Sequence, residues 1–351
     1  MKIRKPDYYD QFQCIAGACS DSCCIGWEID INEEQKEYYR RISSKAGELG
    51  NRMKSCIDWE EGHFILQGKE ERCPFLNQDH LCDLILGLGE DSLCDICREH
   101  PRFYDWFDGL TEVGLGLCCE AAGRLILGKE APAAFVETES DCDMEDSLVL
   151  LFQAREKAIA ILQNRTYSIW QRLQQYLDFL EELQDALDFD SEEELRELTD
   201  TFESQKSTLD ITELFDCAAL ISLCRSLEAI DDSWTRQLEE LADFSASPYC
   251  QDDWNETKQM REYEYEHMAV YFVYRYFMKC REDGDVYSRG CLTVFCLFLM
   301  LLLDVKTFSE TGVLTAEDRV QHAKCISKEI EYSEENLELL ADCFWRYREG
   351  W

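Results

Sequence analysis

The sequence predicts a mainly α-helical protein: a Cys-rich N-terminal part of short irregular elements, followed by a helical bundle. Three observations predict it. From Leu148 onward apolar residues recur with a period close to 3.6. No strand–helix alternation of dinucleotide-binding type and no solenoid repeat appears. Eleven of the twenty cysteines fall at or before Cys119, which sets a thiol-dense region apart from the rest.

Residues 1–130 form the Cys-rich part, in which Gly-Lys, Cys-Pro and Gly-x-Gly steps separate brief pieces. Asn32 is placed as an N-cap with Glu33 and Glu34 in the first turn, so a helix is expected to run through Ile42. Residues 131–147 carry Pro132, small residues and an acidic run, and read as a linker. Residues 148–351 read as a helical domain. Leu148, Leu151, Phe152, Ile159 and Leu162 mark one helix face. Ile169, Leu173, Tyr176, Leu177, Leu180, Leu183 and Leu187 mark a second. Asp190 or Ser191 opens another helix, with Glu193 and Glu194 close behind. Further helices are expected over 214–230, 254–279, 291–305 and 334–345.

A length of 351 residues suggests two or three domains, or one domain with a helical extension, and 46% hydrophobic residues suffice for a sizeable core. The net charge is −38, with −10 on residues 1–130 and −28 on the remainder. Such a chain repels phosphate backbones, which speaks against nucleic acid as a partner. An acidic face either attracts a lysine-rich protein or serves as a solvated surface. The N-terminus, MKIRKPDYYDQF, lacks the apolar core of a secretory signal. The longest apolar run, 291–303, is broken by Thr293 and closed by Asp304, short of the ~20 residues that span a bilayer. A buried helix, no membrane contact and a cytoplasmic location are therefore expected. The cytosol keeps thiols reduced, so clustered cysteines there point to metal or redox chemistry.

The cysteines run Cys14-x4-Cys19-x3-Cys23-Cys24, Cys73-x8-Cys82, Cys94-x2-Cys97 and Cys118-Cys119. Thiolates bind zinc and iron–sulfur clusters, and a Cys-x2-Cys step turns two sulfurs toward one metal. The alternative for any one cysteine is a small apolar core residue, since a site takes four ligands. His80 and His100 lie beside the second and third groups, as fourth ligands or as polar neighbours. Cys142, Cys217, Cys224, Cys250, Cys280, Cys291, Cys296, Cys325 and Cys343 lack clustered spacing and read as helix-packing residues.

The segments FQCIAGACSDSCCIGWEIDI, RCPFLNQDHLCDL, CREHPRFY and LGLCCEAAGRLIL, taken in order, resemble the flagellin lysine-N-methylase family, and the first three also look like a wider Cys-rich family described as zinc- or iron-chelating. The resemblance covers residues 8–128, and YEYEHMAVYFVYRYF is similar to a helix of the same family. It implies an S-adenosylmethionine-dependent protein-lysine N-methyltransferase with a bound iron–sulfur cluster of the 4Fe-4S type, or zinc in its place. Its substrate would be flagellin or another lysine-bearing protein. The cysteines matching the family motifs are Cys19, Cys23, Cys24, Cys73, Cys82, Cys97 and Cys118. Cys119 stands where Pro is expected, His100 where an aromatic is usual, and Cys94 is extra.

Methyl transfer needs a neutral lysine amine, and aromatic rings hold a sulfonium or a lysine stem by cation–π contact. Tyr263, His267, Tyr271 and Tyr274 recur at helical spacing, with Glu262, Glu264 and Glu266 between them. Tyr263, Glu266, His267 and Tyr271 are the candidate catalytic group; the alternative is an aromatic core stripe. Trp27, Arg102 and Glu120 are the fallback in the N-terminal part. Gly87-Leu-Gly89 and Gly114-Leu-Gly116 are isolated, so no motif marks the cofactor pocket. The Cys-x3-Cys-x2-Cys spacing of radical chemistry is missing, which favours polar two-electron transfer. The competing function classes are a metal-binding adaptor and a redox-sensing or metal-storage module.

Overall fold

The computed structural model describes residues 2–138, 145–189, 191–203, 211, 216–246 and 251–348. Cys142, Cys250 and Asp190 lie outside the described residues, as does part of the stretch read as a linker. The chain packs as two compact units. The larger holds Met1–Gln11, Tyr104–Cys118 and Ala122–Trp351, and the smaller holds Phe12–Phe103 and Cys119–Ala121.

The elements in chain order begin with strand β1 (Lys2–Pro6), helices α1 (Glu33–Ser43) and α2 (Gly47–Cys56), and the short strands β2 (Ile57–Asp58) and β3 (His63–Phe64). Helices α3 (Asp83–Leu88) and α4 (Asp95–Glu99) follow, then the hairpin β4 (Arg102–Phe107) and β5 (Leu110–Leu115). Helix α5 (Glu120–Leu127) and strand β6 (Phe135–Glu137) lead into α6 (Asp146–Leu162), α7 (Ile169–Asp188), α8 (Glu192–Thr201), α9 (Cys217–Ser226) and α10 (Asp232–Ala246). The last elements are α11 (Gln251–Thr257), α12 (Glu262–Tyr276), α13 (Cys280–Asp283), α14 (Tyr287–Thr311), α15 (Ala316–Glu331) and α16 (Glu334–Arg348). The fold is mainly α, as the periodicity predicts.

In the smaller unit, Asn32 caps α1 through a capping box with Gln35, so the expected cap and helix are both observed. Tyr39, Met53, Phe64 and Phe75 are buried together, with Phe64 meeting Phe75 edge-on at 5.0 Å. Gly50 lets α2 start against α1, because a Cβ there would stand 2.0 Å from the Ser43 carbonyl oxygen.

In the larger unit, α14 is the central helix, and α7, α12, α15 and α16 pack on it. It is long and apolar enough to cross a membrane by composition, and 78% of its most apolar window is buried within the fold. Gly290 marks the closest approach to α7, where an added Cβ would meet Leu180 Cδ1 at 2.2 Å. The sequence predicts one helix over 254–279; two form instead, because Arg261 takes a left-handed φ of 46° and breaks the run ahead of α12. Helices α10 and α15 escape the apolar pattern. So does a four-stranded sheet in the order β4-β5-β1-β6, in which β1 runs parallel to β5 and antiparallel to β6. Strand β6 lies in the stretch read as a linker. Behind the sheet, Arg155 makes two hydrogen bonds of 2.5 and 2.7 Å to Glu112, both residues being buried.

Candidate functional site

The thiols of the smaller unit are gathered by backbone pairing between loops. The Cys73 amide donates to the Cys24 carbonyl at 2.8 Å, and Leu76 bridges Cys82 across the turn after Cys73. Cys82 precedes α3 and Cys94 precedes α4 as their N-terminal flanking residues. Cys24, Cys73, Cys82, Cys94 and Cys97 thereby share one electrostatic neighbourhood.

Their titration follows from that neighbourhood. A hydrogen bond from Cys23 holds the Cys24 thiol down at about 7 against the opposing effect of burial, with Ser22 and Arg72 assisting. Cys23 is pushed up by the same bond and by burial. Cys94 is lowered by its hydrogen bond with Cys97, which is raised in turn. Burial lifts Cys73 to about 12 and raises Cys82, and the nearby Cys24 charge adds to both. Two positions thus favour thiolate, and three thiols stand around them.

Of the other motif cysteines, Cys23 is hydrogen-bonded to Cys24 and also faces Cys14 and Cys119. Cys19 Sγ donates to the Asp21 carbonyl at 3.1 Å and sits 3.8 Å from Glu120 Oε2. Cys118 belongs to the larger unit, where its thiol donates to the Tyr332 hydroxyl at 2.8 Å. Burial lowers His100 to about 4. His80 lines an open cavity of about 540 Å³ with Arg52, Arg72 and Asp83. Among the described residues, no three His, Cys, Asp or Glu side chains stand in an arrangement that holds a metal ion. The donor set fits a thiophilic centre in its chemistry, while the side chains stand as hydrogen-bonded thiols.

The second candidate lies on α12. Glu266 is fully buried and bridges two arginines, accepting from Arg165 Nε and a terminal guanidinium nitrogen at 2.8 Å each and from Arg172 at 2.6 Å. Burial alone would raise its carboxyl, but the two guanidiniums outweigh it and hold it below the usual range. His267 Nε2 lies 2.7 Å from the Lys129 carbonyl, and burial lowers the imidazole. Tyr271 donates to Glu331 at 2.8 Å and accepts from Arg275 at 2.6 Å. Tyr274 donates to the Arg4 carbonyl at 3.0 Å and stacks on Phe135. Tyr263 meets His267 edge-on at 6.4 Å and is the more exposed of this group. Glu266 and His267 therefore face one network, and Tyr271 faces another.

A family model of the FliB lysine N-methylase C-terminal domain matches residues 155–349. The chain belongs to the FliB lysine N-methylase family. The match covers more than half the chain and falls on the helices around α12, whereas the resemblance read from the motifs centres on residues 8–128. The chain is 26% identical over 167 residues to the flagellar biosynthetic protein FliU of Salmonella muenchen, covering 45% of this chain and 95% of the relative. It is 26% identical over 145 residues to the lysine-N-methylases of Salmonella typhimurium and Salmonella choleraesuis, covering 39% of this chain. The chain spans about a third, 35%, of the length of those two relatives. No solved structure matches this FliB-family chain.

In this family member the sequence did not signal the buried group Glu264, Asp304 and Arg319, in which Arg319 pairs with Glu264 and Asp304 at 2.8 Å each. Asp304, closing the apolar run of α14, and Glu264, among the acids of α12, were the visible signs of it.

Proposed function

We propose that the protein is an S-adenosylmethionine-dependent protein-lysine N-methyltransferase whose substrate is flagellin. The observation that carries this is the family match over residues 155–349, the region that holds α12 and the helices packed on it. The printed names of the relatives, a lysine-N-methylase and a flagellar biosynthetic protein, support the substrate class. A sulfonium donor supplies an electrophilic methyl group, and the protein has to present a lysine amine without its proton. Tyr263, Glu266, His267 and Tyr271 are proposed as a group that shapes the substrate face of α12. Glu266 and His267 are already engaged by Arg165, Arg172 and the Lys129 carbonyl, which suits a positioning part.

We propose further that the smaller unit holds an iron–sulfur cluster, of the 4Fe-4S type, through ligands drawn from Cys24, Cys73, Cys82, Cys94 and Cys97. Their shared neighbourhood and the lowered Cys24 and Cys94 thiols support this choice. Cys19 and Cys118 are less favoured, since each is engaged elsewhere, and Cys23 stands beside the set through its bond to Cys24.

The test is anaerobic purification, metal and sulfide analysis, and incubation with flagellin and methyl-labelled S-adenosylmethionine. Label on flagellin lysines with brown, iron-loaded protein is expected. Colourless protein with stoichiometric zinc would replace the cluster by a zinc centre. Failure both to bind S-adenosylmethionine and to label flagellin would leave the metal-binding adaptor as the better reading.

A further inference from the structure

One cluster of the larger unit has the layout of an acid–imidazole–hydroxyl relay. Asp304 Oδ1 on α14 lies 2.6 Å from His322 Nδ1 on α15. The other ring nitrogen, Nε2, lies 3.2 Å from Thr307 Oγ1, three residues beyond Asp304 on α14. An ionised carboxylate has no proton to give, so Nδ1 carries the hydrogen. In the neutral form of such a ring Nε2 is bare, and the Thr307 hydroxyl can donate to it.

The acid end is fixed. Asp304 is fully buried, and its second oxygen accepts from the Tyr265 hydroxyl at 2.5 Å and from Arg319 Nε at 2.8 Å. Arg319 also binds Glu264, which binds Arg261, so two guanidiniums balance two carboxylates behind the ring. Asp318 faces the imidazole from its own helix. The hydroxyl end is open by comparison: Thr307 is half-buried, and the His322 side chain is 16% exposed. A buried acid orienting a reachable imidazole is the arrangement of a general base.

We propose that His322 is the base of the methyl transfer reaction, with Asp304 as its positioning residue; this rests on the methyltransferase reading above. The substrate lysine displaces the Thr307 hydroxyl from Nε2. Its ammonium gives one proton to Nε2, and the resulting imidazolium is held by Asp304. The freed lone pair on Nζ forms a bond to the methyl carbon of the sulfonium co-substrate. The carbon–sulfur bond breaks, its electron pair stays on sulfur, and a thioether leaves. The methylated lysine departs as a cation, and the imidazolium returns its proton to water. Neither other candidate on α12 has this layout. Glu266 is bridged by two arginines, and His267 Nε2 must carry a hydrogen to bond the Lys129 carbonyl.

The experiment compares wild-type protein, His322→Gln and His322→Asn in single-turnover methylation of flagellin across pH. Both amides keep a donor for Asp304, and thermal melting checks that they fold. Loss of roughly 10²–10⁴-fold in rate, together with loss of the acid limb of the pH profile, is expected. Wild-type turnover with an unchanged rate and profile in both variants overturns the base assignment and leaves the methyltransferase reading standing. A wild-type protein that transfers no methyl group overturns both. Nitrogen-15 spectra of the wild-type imidazoles give a separate readout. A bare Nε2 on His322 supports the relay, and a neutral ring protonated at Nε2 overturns it without any variant.

Discussion

Ser20 gives both its backbone N–H and its hydroxyl to one oxygen of Glu120, at 3.0 and 2.6 Å, across one hundred residues of sequence. Glu120 is 2% exposed and opens α5, so its charge also faces the amide end of that helix. The Cys-rich loop is thereby tied to a carboxylate far along the chain. Glu120→Gln keeps the shape and weakens charge-assisted acceptance. A loss of about 1–3 kcal/mol from the smaller unit is expected, with faster amide exchange at Ser20. Unchanged exchange at that amide would show that the bond contributes nothing.

The thiols differ in readiness to react. In metal-free protein near neutral pH, Cys24, held at about 7, should take iodoacetamide before Cys73, which burial lifts to about 12. Site-resolved mass spectrometry reads the order. Equal rates would show that the Cys23 hydrogen bond does not hold the Cys24 thiol down.

Glu266 separates stability from catalysis on α12. Glu266→Ala leaves Arg172, 1% exposed, with only the looser Glu262 contact at 3.7 Å, and a cost of about 3–5 kcal/mol is expected. Tyr263→Ala, on the more exposed side, should shift the melting temperature little while lowering turnover. If both variants melt like wild type, the Arg165–Glu266–Arg172 bridge carries no weight in the fold.

Acid should act on the two units in opposite directions. The Glu329 carboxyl, on the inward side of α15, is raised by burial from 4.5 to about 7. The native state then holds a proton that the unfolded chain has lost, so its contribution is full below about 4.5 and disappears as pH rises to about 7. His100 in the smaller unit is lowered from 6.5 to about 4 and is native as the neutral ring. Its contribution is full above about 6.5 and is lost as pH falls through about 4. Hydrogen exchange at a series of pH values reads each unit separately. Glu329→Gln should flatten the slope in the larger unit only.

Much of the helical part was legible because it buries apolar faces with regular spacing: α6, α7, α14 and the Asn32 cap follow from pattern and propensity alone. Helix α15 was hidden because its inward side carries Arg319, Lys324, Lys328, Glu329 and Glu331, which read as a solvated face. The sheet was hidden for a related reason. Strand β5 buries Thr111 and Glu112, and Arg155 forty-three residues later offsets the Glu112 charge. The cysteines announced themselves by number. Their division into a shared neighbourhood and outliers depends on loop pairings such as Cys73 to Cys24, which no spacing rule encodes. The relay at His322 joins two helices, and only its acid could be noticed beforehand.

The place of β1 in the sheet bears on the order of events during synthesis. Lys2–Pro6 has to wait for both neighbours, Leu110–Leu115 and Phe135–Glu137, before it is paired on its two edges. The whole stretch Phe12–Phe103 leaves the ribosome in that interval. The smaller unit therefore has the chance to assemble, and to load any metal, while the first strand of its host is still an open edge. The last open edge of β1 should therefore be covered when residue 137 emerges, not when the cysteines do.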